Sequence, residues 1–142
     1  MLRKSGEIRR KQMKLIKTHR DLEVYKESFD LAMQIFRESK SFPKEERYSL
    51  TDQVRRSSRS ICANLAEAWR KRRYEGSFIS KLSDAEAEAA ETQVWIEFAV
   101  QCEYVEPEIG KKLLASYENI LGKIVSVIIN PKPWLLPGAK LR

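Results

Sequence analysis

Histidine occurs once, at His19, and cysteine twice, at Cys62 and Cys102. That single histidine falls in the basic opening stretch, so neither a histidine-supported di-metal site nor a Ser-His-Asp triad is expected within one chain. The two cysteines match no metal-ligand spacing and sit in helical, apolar stretches, where a reduced thiol behaves as a small buried hydrophobe. Glycine and proline number five each, too few for a loop-rich fold. The glycines build no phosphate-cradling loop, strand punctuation or nucleophile elbow. Long apolar runs are missing too. The longest, Ile124 to Ile129, is far short of the roughly 20 residues that span a bilayer. The opening Met1-Leu2-Arg3-Lys4 resembles no secretory leader. The expectation is a cytoplasmic protein with no membrane segment, no cofactor and no enzymatic activity.

What is present is a single domain's worth of chain, 142 residues with 42% hydrophobic and 33% charged, enough to close a core unaided. The net charge of +7 is unevenly placed. Met1 to Arg20 holds eight Lys or Arg against one Glu, and the rest balances nineteen against nineteen. A basic arm over residues 1–20 thus precedes a neutral body.

From Asp21 the apolar residues adopt helical spacing. A first helix, about 21–41, carries Leu22, Tyr25, Phe29, Ala32 and Phe36, widened by Val24, Leu31 and Ile35, and stops before Pro43. Ser49-Leu50-Thr51-Asp52 matches a capping box and opens a second helix, about 49–72. Its Leu50, Val54, Ser57, Ser58, Ile61, Cys62, Leu65, Ala68 and Trp69 share one arc of about 140° that faces the core. Arg55, Arg59, Arg70 and Arg73, with Arg56 at the margin, form a basic stripe beside that arc, continued by Lys71 and Arg72. A third helix, about 75–103, alternates small and acidic residues and then becomes apolar almost all round from Val94 to Val100. Pro107 suits the first turn of a fourth helix, about 107–130, with a stripe through Leu113, Tyr117, Ile120, Ile124 and Ile128. Residues 131–142 form a tail in which Trp134, Leu135 and Leu136 look exposed. Four helices with short links predict an all-α, antiparallel up-down four-helix bundle.

Several segments together resemble the bacterial four-helix-bundle proteins encoded in intervening sequences of large-subunit (23S) ribosomal RNA genes. They are Asp21-Leu22-Glu23-Val24-Tyr25-Lys26, Phe42-Pro43-Lys44-Glu45-Glu46-Arg47-Tyr48, Gln53-Val54-Arg55-Arg56-Ser57, Ser60 to Ala68, and Glu91-Thr92-Gln93-Val94-Trp95. The resemblance implies assembly into a closed homopentameric barrel. It also implies a relation to nucleic-acid-binding accessory proteins of diversity-generating reverse transcriptases, which makes RNA, DNA or a reverse transcriptase the candidate partner. Cys62 and Ala68 depart from the proline and glycine usual in that family, and both changes favour a more regular helix.

Two readings of the charge stand side by side. Arg55, Arg56, Arg59, Arg70, Lys71, Arg72 and Arg73, with Arg9, Arg10, Lys11, Lys14 and Lys17 of the arm, are candidates for gripping a phosphate backbone. Alternatively the second helix region, +5 over Ser49 to Arg73, pairs with the third, −6 over Tyr74 to Glu103. Asp84, Glu88 and Glu91 share a face as carboxylate metal sites do, but no Glu-x-x-His accompanies them, and pairing with arginine is expected. Tyr74 and Phe78 could stack on bases, although core packing is expected for both. Val94, Trp95, Ile96 and Phe98 are the candidate oligomer contacts, the alternative being that they lie deepest in the core.

Overall fold

The computed structural model describes residues 16–142. Four helices follow one another: α1 (Glu23–Ser39), α2 (Leu50–Arg70), α3 (Glu75–Gln101) and α4 (Pro107–Ile129). Short 3-10 turns cover His19–Asp21, Lys44–Glu46 and Lys132–Trp134. The helices pack as a ring in chain order. Side-chain pairs give their directions: Ser57 meets Thr92 while Glu67 meets Lys81, and Gln93 meets Glu118 while Gly110 faces Val100. Numbers that rise on one helix and fall on the next mean antiparallel neighbours.

A common spacing explains the packing. Ser28, Ala32, Ile35 and Ser39 are buried in α1, and Phe78, Leu82, Ala85, Ala89, Thr92, Ile96 and Ala99 in α3. Leu113, Tyr117, Ile120 and Ile124 line α4. Steps of four and three residues keep one seam facing inward, the condition for helices crossing at about 20°. The core centres on Ile61, Leu65, Ile96, Leu113, Tyr117, Ile120 and Ile124, each at most 2% exposed. Burying a side chain of this size stabilises the fold by about 1.5–3 kcal/mol. All nine residues assigned to the inner arc of α2 are buried, joined by Thr51.

Some expectations are corrected. Phe29 is 49% exposed, because the α1 seam runs through Ser28, whose hydroxyl donates to the Val24 carbonyl at 2.7 Å and so fills a tight position without an open polar group. Ser49 precedes α2 but forms no capping box; its hydroxyl donates to Glu46 Oε1 at 2.6 Å, and that bond lowers the Glu46 pKa. Cys62 is buried as expected, whereas Cys102 is exposed just past α3.

The α3–α4 link closes with a Schellman arrangement. Glu103 N–H donates to Val100 O and Tyr104 N–H to Ala99 O, both at 2.9 Å, with Glu103 at φ +64°.

The tail is also corrected. Trp134 and Leu135 pack half-buried against the core. A turn follows at Leu136-Pro137-Gly138-Ala139, where Ala139 N–H donates to Leu136 O at 3.1 Å and Gly138 adopts φ +76°. The chain then lies along the α2–α3 corner. Leu136 and Lys140 N–H groups donate to the Arg72 and Arg73 carbonyls, at 3.2 and 2.9 Å. Glu75, Gly76 and Ser77 N–H groups donate in turn to the Lys140, Leu141 and Arg142 oxygens. The first turn of α3, which receives no side-chain cap from Tyr74, is thus capped by backbone from the far end of the sequence.

Candidate nucleic-acid interface

The expected arginine stripe divides into groups with different surroundings. Arg55, half-buried, donates from Nε to Ser39 Oγ at 2.7 Å and lies over the Phe36 ring at 4.9 Å. Arg59 lies over the same ring at 5.8 Å. Both are seated against α1. Arg56 reaches α3 instead, 3.2 Å from Glu91 and 3.9 Å from Glu88. Burial is the main reason that the Glu88 pKa is raised, with Glu91 adding to it and Arg56 opposing it. Lys81 bridges Glu67 and Asp84, at 2.8 and 3.8 Å. The three acids of α3 are therefore interleaved with cations, and among the described residues no group of three or more His, Cys, Asp or Glu is arranged to hold a metal ion.

The corner after α2 is different. Arg72 stacks on Trp69 with its guanidinium 3.4 Å from the ring centroid, and its Nε donates to the Trp69 carbonyl at 2.8 Å, closing the end of the helix. Arg70, Lys71 and Arg73 are exposed and form no ion pair among the described residues. Beside them the turn at His19–Asp21 is fixed by Thr18 Oγ1, which accepts from Arg20 N–H, and by Asp21, which accepts from the Lys17 and Thr18 N–H groups. Lys17, His19 and Arg20 thereby line, with Trp69, Arg70 and Lys71, a groove of about 420 Å³. The His19 pKa is lowered first by burial and then by Arg20 and Arg70, a sign of the local positive field. Of the arm, Arg9, Arg10, Lys11 and Lys14 lie outside the described residues.

The two ends of the bundle differ in charge. Lys17, Arg20, Arg70 to Arg73, Lys132, Lys140 and Arg142 share one end with Asp21, Glu23 and Glu75. At the other end Glu38, Glu45, Glu46, Asp52, Glu103, Glu106 and Glu108 stand with Arg37, Lys40, Lys44, Arg47, Lys111 and Lys112, leaving no basic excess. Sequence reasoning named Lys17 within the basic arm but missed His19, Arg20, Lys140 and Arg142 as members of this surface. The Pro137-Gly138 pair signals a turn, but only the fold shows where the turn returns the chain.

Of the four candidate oligomer contacts, Val94 and Phe98 point outward, 44% and 55% exposed, and Trp95 is half-buried. Ile96 is corrected: at 2% exposed it belongs to the core of its own chain, because it falls on the inner seam of α3. Phe78 is buried and Tyr74 partly so, with Arg142 over its ring at 5.4 Å.

A family model described as 23S rRNA-intervening sequence protein matches residues 20–126. The chain belongs to that family. A crystal structure of a protein with unknown function from the S23 ribosomal protein family of Bacteroides thetaiotaomicron is similar, with 30% identity and a TM-score of 0.68, over 75% of this chain and 96% of that one. No curated protein matches. The family match covers all of α1 to α3 and most of α4, including the α2–α3 corner, and stops short of the tail that docks on it. Among the described residues no helix is long and apolar enough to cross a membrane.

Proposed function

We propose that this member of the family is a non-enzymatic, cytoplasmic scaffold that binds nucleic acid through phosphate contacts at the basic end of the bundle. The observation that carries the reading is the cluster of Arg70, Lys71 and Arg73, exposed and unpaired among the described residues, beside Lys17 and Arg20. Such a cluster releases several counterions at once when it meets a phosphate backbone. Arg55, Arg56 and Arg59 serve the fold instead, through Ser39, Phe36 and the α3 acids. The basic arm, with Arg9, Arg10, Lys11 and Lys14, adds charge to the same partner and joins the described fold at Ile16, on that same end.

The scaffold is further proposed to close into a homo-oligomer, a pentamer as the family resemblance implies, using the outward Val94 and Phe98 with Trp95. Ring closure repeats a modest patch and raises avidity without new contacts. Native mass measurement of the protein and of Val94→Asp/Phe98→Asp tests this; an unchanged mass in the variant sinks it.

Binding is tested with fluorescently labelled single-stranded and duplex RNA and DNA over a salt series. Log K against log salt falls by roughly 0.7–0.9 per phosphate neutralised. Arg70→Gln/Lys71→Gln/Arg73→Gln is expected to flatten that slope by about 2–3, while Arg55→Gln/Arg59→Gln lowers stability and leaves the slope in place. Removal of residues 1–15 measures the arm's share. Absence of salt-dependent binding at low salt refutes the reading. It would favour the alternative of a protein-interaction module, such as a reverse-transcriptase accessory subunit, which the Arg56–Glu91 pairing supports.

A further inference from the structure

Residues 136–142 lie outside the span matched by the family and yet complete the basic end. Their docking is almost wholly a backbone affair. Leu136 is half-buried where the segment begins, but Leu141, the one large apolar residue past the Gly138 turn, is 82% exposed, so its burial does not hold the end of the segment. The anchors are the hydrogen bonds to Arg72, Arg73, Glu75, Gly76 and Ser77, with Ser77 Oγ also donating to the Arg142 oxygen at 2.9 Å. A parallel bridge pairs Tyr74 with Lys140. The approach depends on Gly76. A Cβ there would sit 2.8 Å from the Leu141 carbonyl oxygen and 3.2 Å from the Arg142 carbonyl carbon, which are backbone atoms with no rotamer to yield.

We infer that this strap is a working part of the phosphate-binding surface: it carries Lys140 and Arg142 onto the Arg70–Arg73 corner, and its docking on α3, permitted by Gly76, fixes where those two charges sit. The inference rests on the nucleic-acid reading above and deepens it. Lys140 is placed by its own N–H on the Arg73 carbonyl, so the two cationic residues are backbone neighbours. Arg142 is braced over the Tyr74 ring. Each side chain is exposed and without an ion pair among the described residues, so the strap's charge faces solvent where a polyanion can reach it. Fixed charges lose less freedom on contact than charges on a loose segment, and so contribute more to affinity.

Two variants separate charge from placement. Lys140→Gln/Arg142→Gln removes the charges and keeps the strap. Gly76→Ala keeps every charge, favours the helix locally and displaces the strap. With labelled single-stranded RNA and duplex DNA as probes, the first is expected to lower the salt slope by about 1.4–1.8, the equivalent of two phosphates. Gly76→Ala is expected to weaken binding at fixed salt while the amides of Glu75, Gly76 and Ser77 lose hydrogen-exchange protection and far-UV helix content holds. Wild-type affinity and slope in the first variant overturns the role of the strap charges. Wild-type binding by Gly76→Ala overturns their fixed placement. If the unaltered protein shows no salt-dependent binding, the underlying reading fails, a result distinct from either variant behaving as wild type.

Discussion

Alanine at Gly110 sets two effects of similar size against each other. In the first turns of α4, replacing glycine stabilises the helix by about 1 kcal/mol, through chain entropy and propensity. Gly110 is buried, however, where α4 crosses the last turn of α3. A Cβ there would overlap Val100 Cγ2, with Val100 Cβ 3.7 Å and Val105 Cγ1 3.9 Å away. Valine in a helix keeps one side-chain rotamer about 90% of the time, so Val100 does not swing clear cheaply, and the strain of overpacking is about 1–3 kcal/mol. Gly110→Ala is therefore expected to destabilise by about 1 kcal/mol net. With Val100→Ala already in place the obstacle is gone, and the same substitution is expected to stabilise by up to about 1 kcal/mol. Urea unfolding followed by far-UV circular dichroism at the four corners of this cycle measures a coupling of about 2 kcal/mol, within the range of touching residues. An equal effect of Gly110→Ala in both backgrounds refutes the argument, since the cost would not then come from Val100.

Glu103 adopts the left-handed conformation that closes α3, so Glu103→Gly is expected to raise stability by about 0.5–1 kcal/mol in the same assay; a loss of stability would mean the carboxylate has a role that its exposure does not suggest. The Tyr117 hydroxyl is fully buried with no partner among the described residues, so Tyr117→Phe is expected to stabilise by about 1 kcal/mol, and a marked destabilisation would reveal an unseen partner. Burial pushes the Cys62 thiol up from 9.0 to about 11. The unfolded chain then loses this proton first, so stability falls as pH rises from about 9 through 11, by about 2–3 kcal/mol in all. Cys62→Ala should flatten that alkaline decline, measured by urea midpoints across the range; an unchanged decline excludes the thiol as its source.

The inner face of α2 was legible because hydrophobicity and helical period agree along its whole length. On α1 they disagree. Ser28 is polar in composition but self-satisfied through the Val24 carbonyl, so it occupies the seam and turns Phe29 outward. A pattern scored on hydrophobicity alone rotates that helix by about one residue. On α3 the stretch from Val94 to Val100 is apolar on every side, which gives no direction; only the four-three seam selects Ile96 for the interior. The charged residues were legible as a set and illegible as individuals. Whether an arginine is engaged depends on what the neighbouring helix places opposite: Phe36 and Ser39 before Arg55, Glu91 before Arg56, and, among the described residues, no acidic partner for Arg73. No local pattern in α2 encodes those partners.

The backbone cap on α3 also imposes an order in time. Ser77 and Arg142 are 65 residues apart, so while the chain emerges from the ribosome the second and third helices can meet well before the amides at the start of the third find their acceptors. The corner bearing Arg70 to Arg73 reaches its final form only when residue 142 is free to fold back. A nascent or shortened chain would hold a bundle whose α2–α3 junction still frays, and the surface presented there would differ from that of the finished fold.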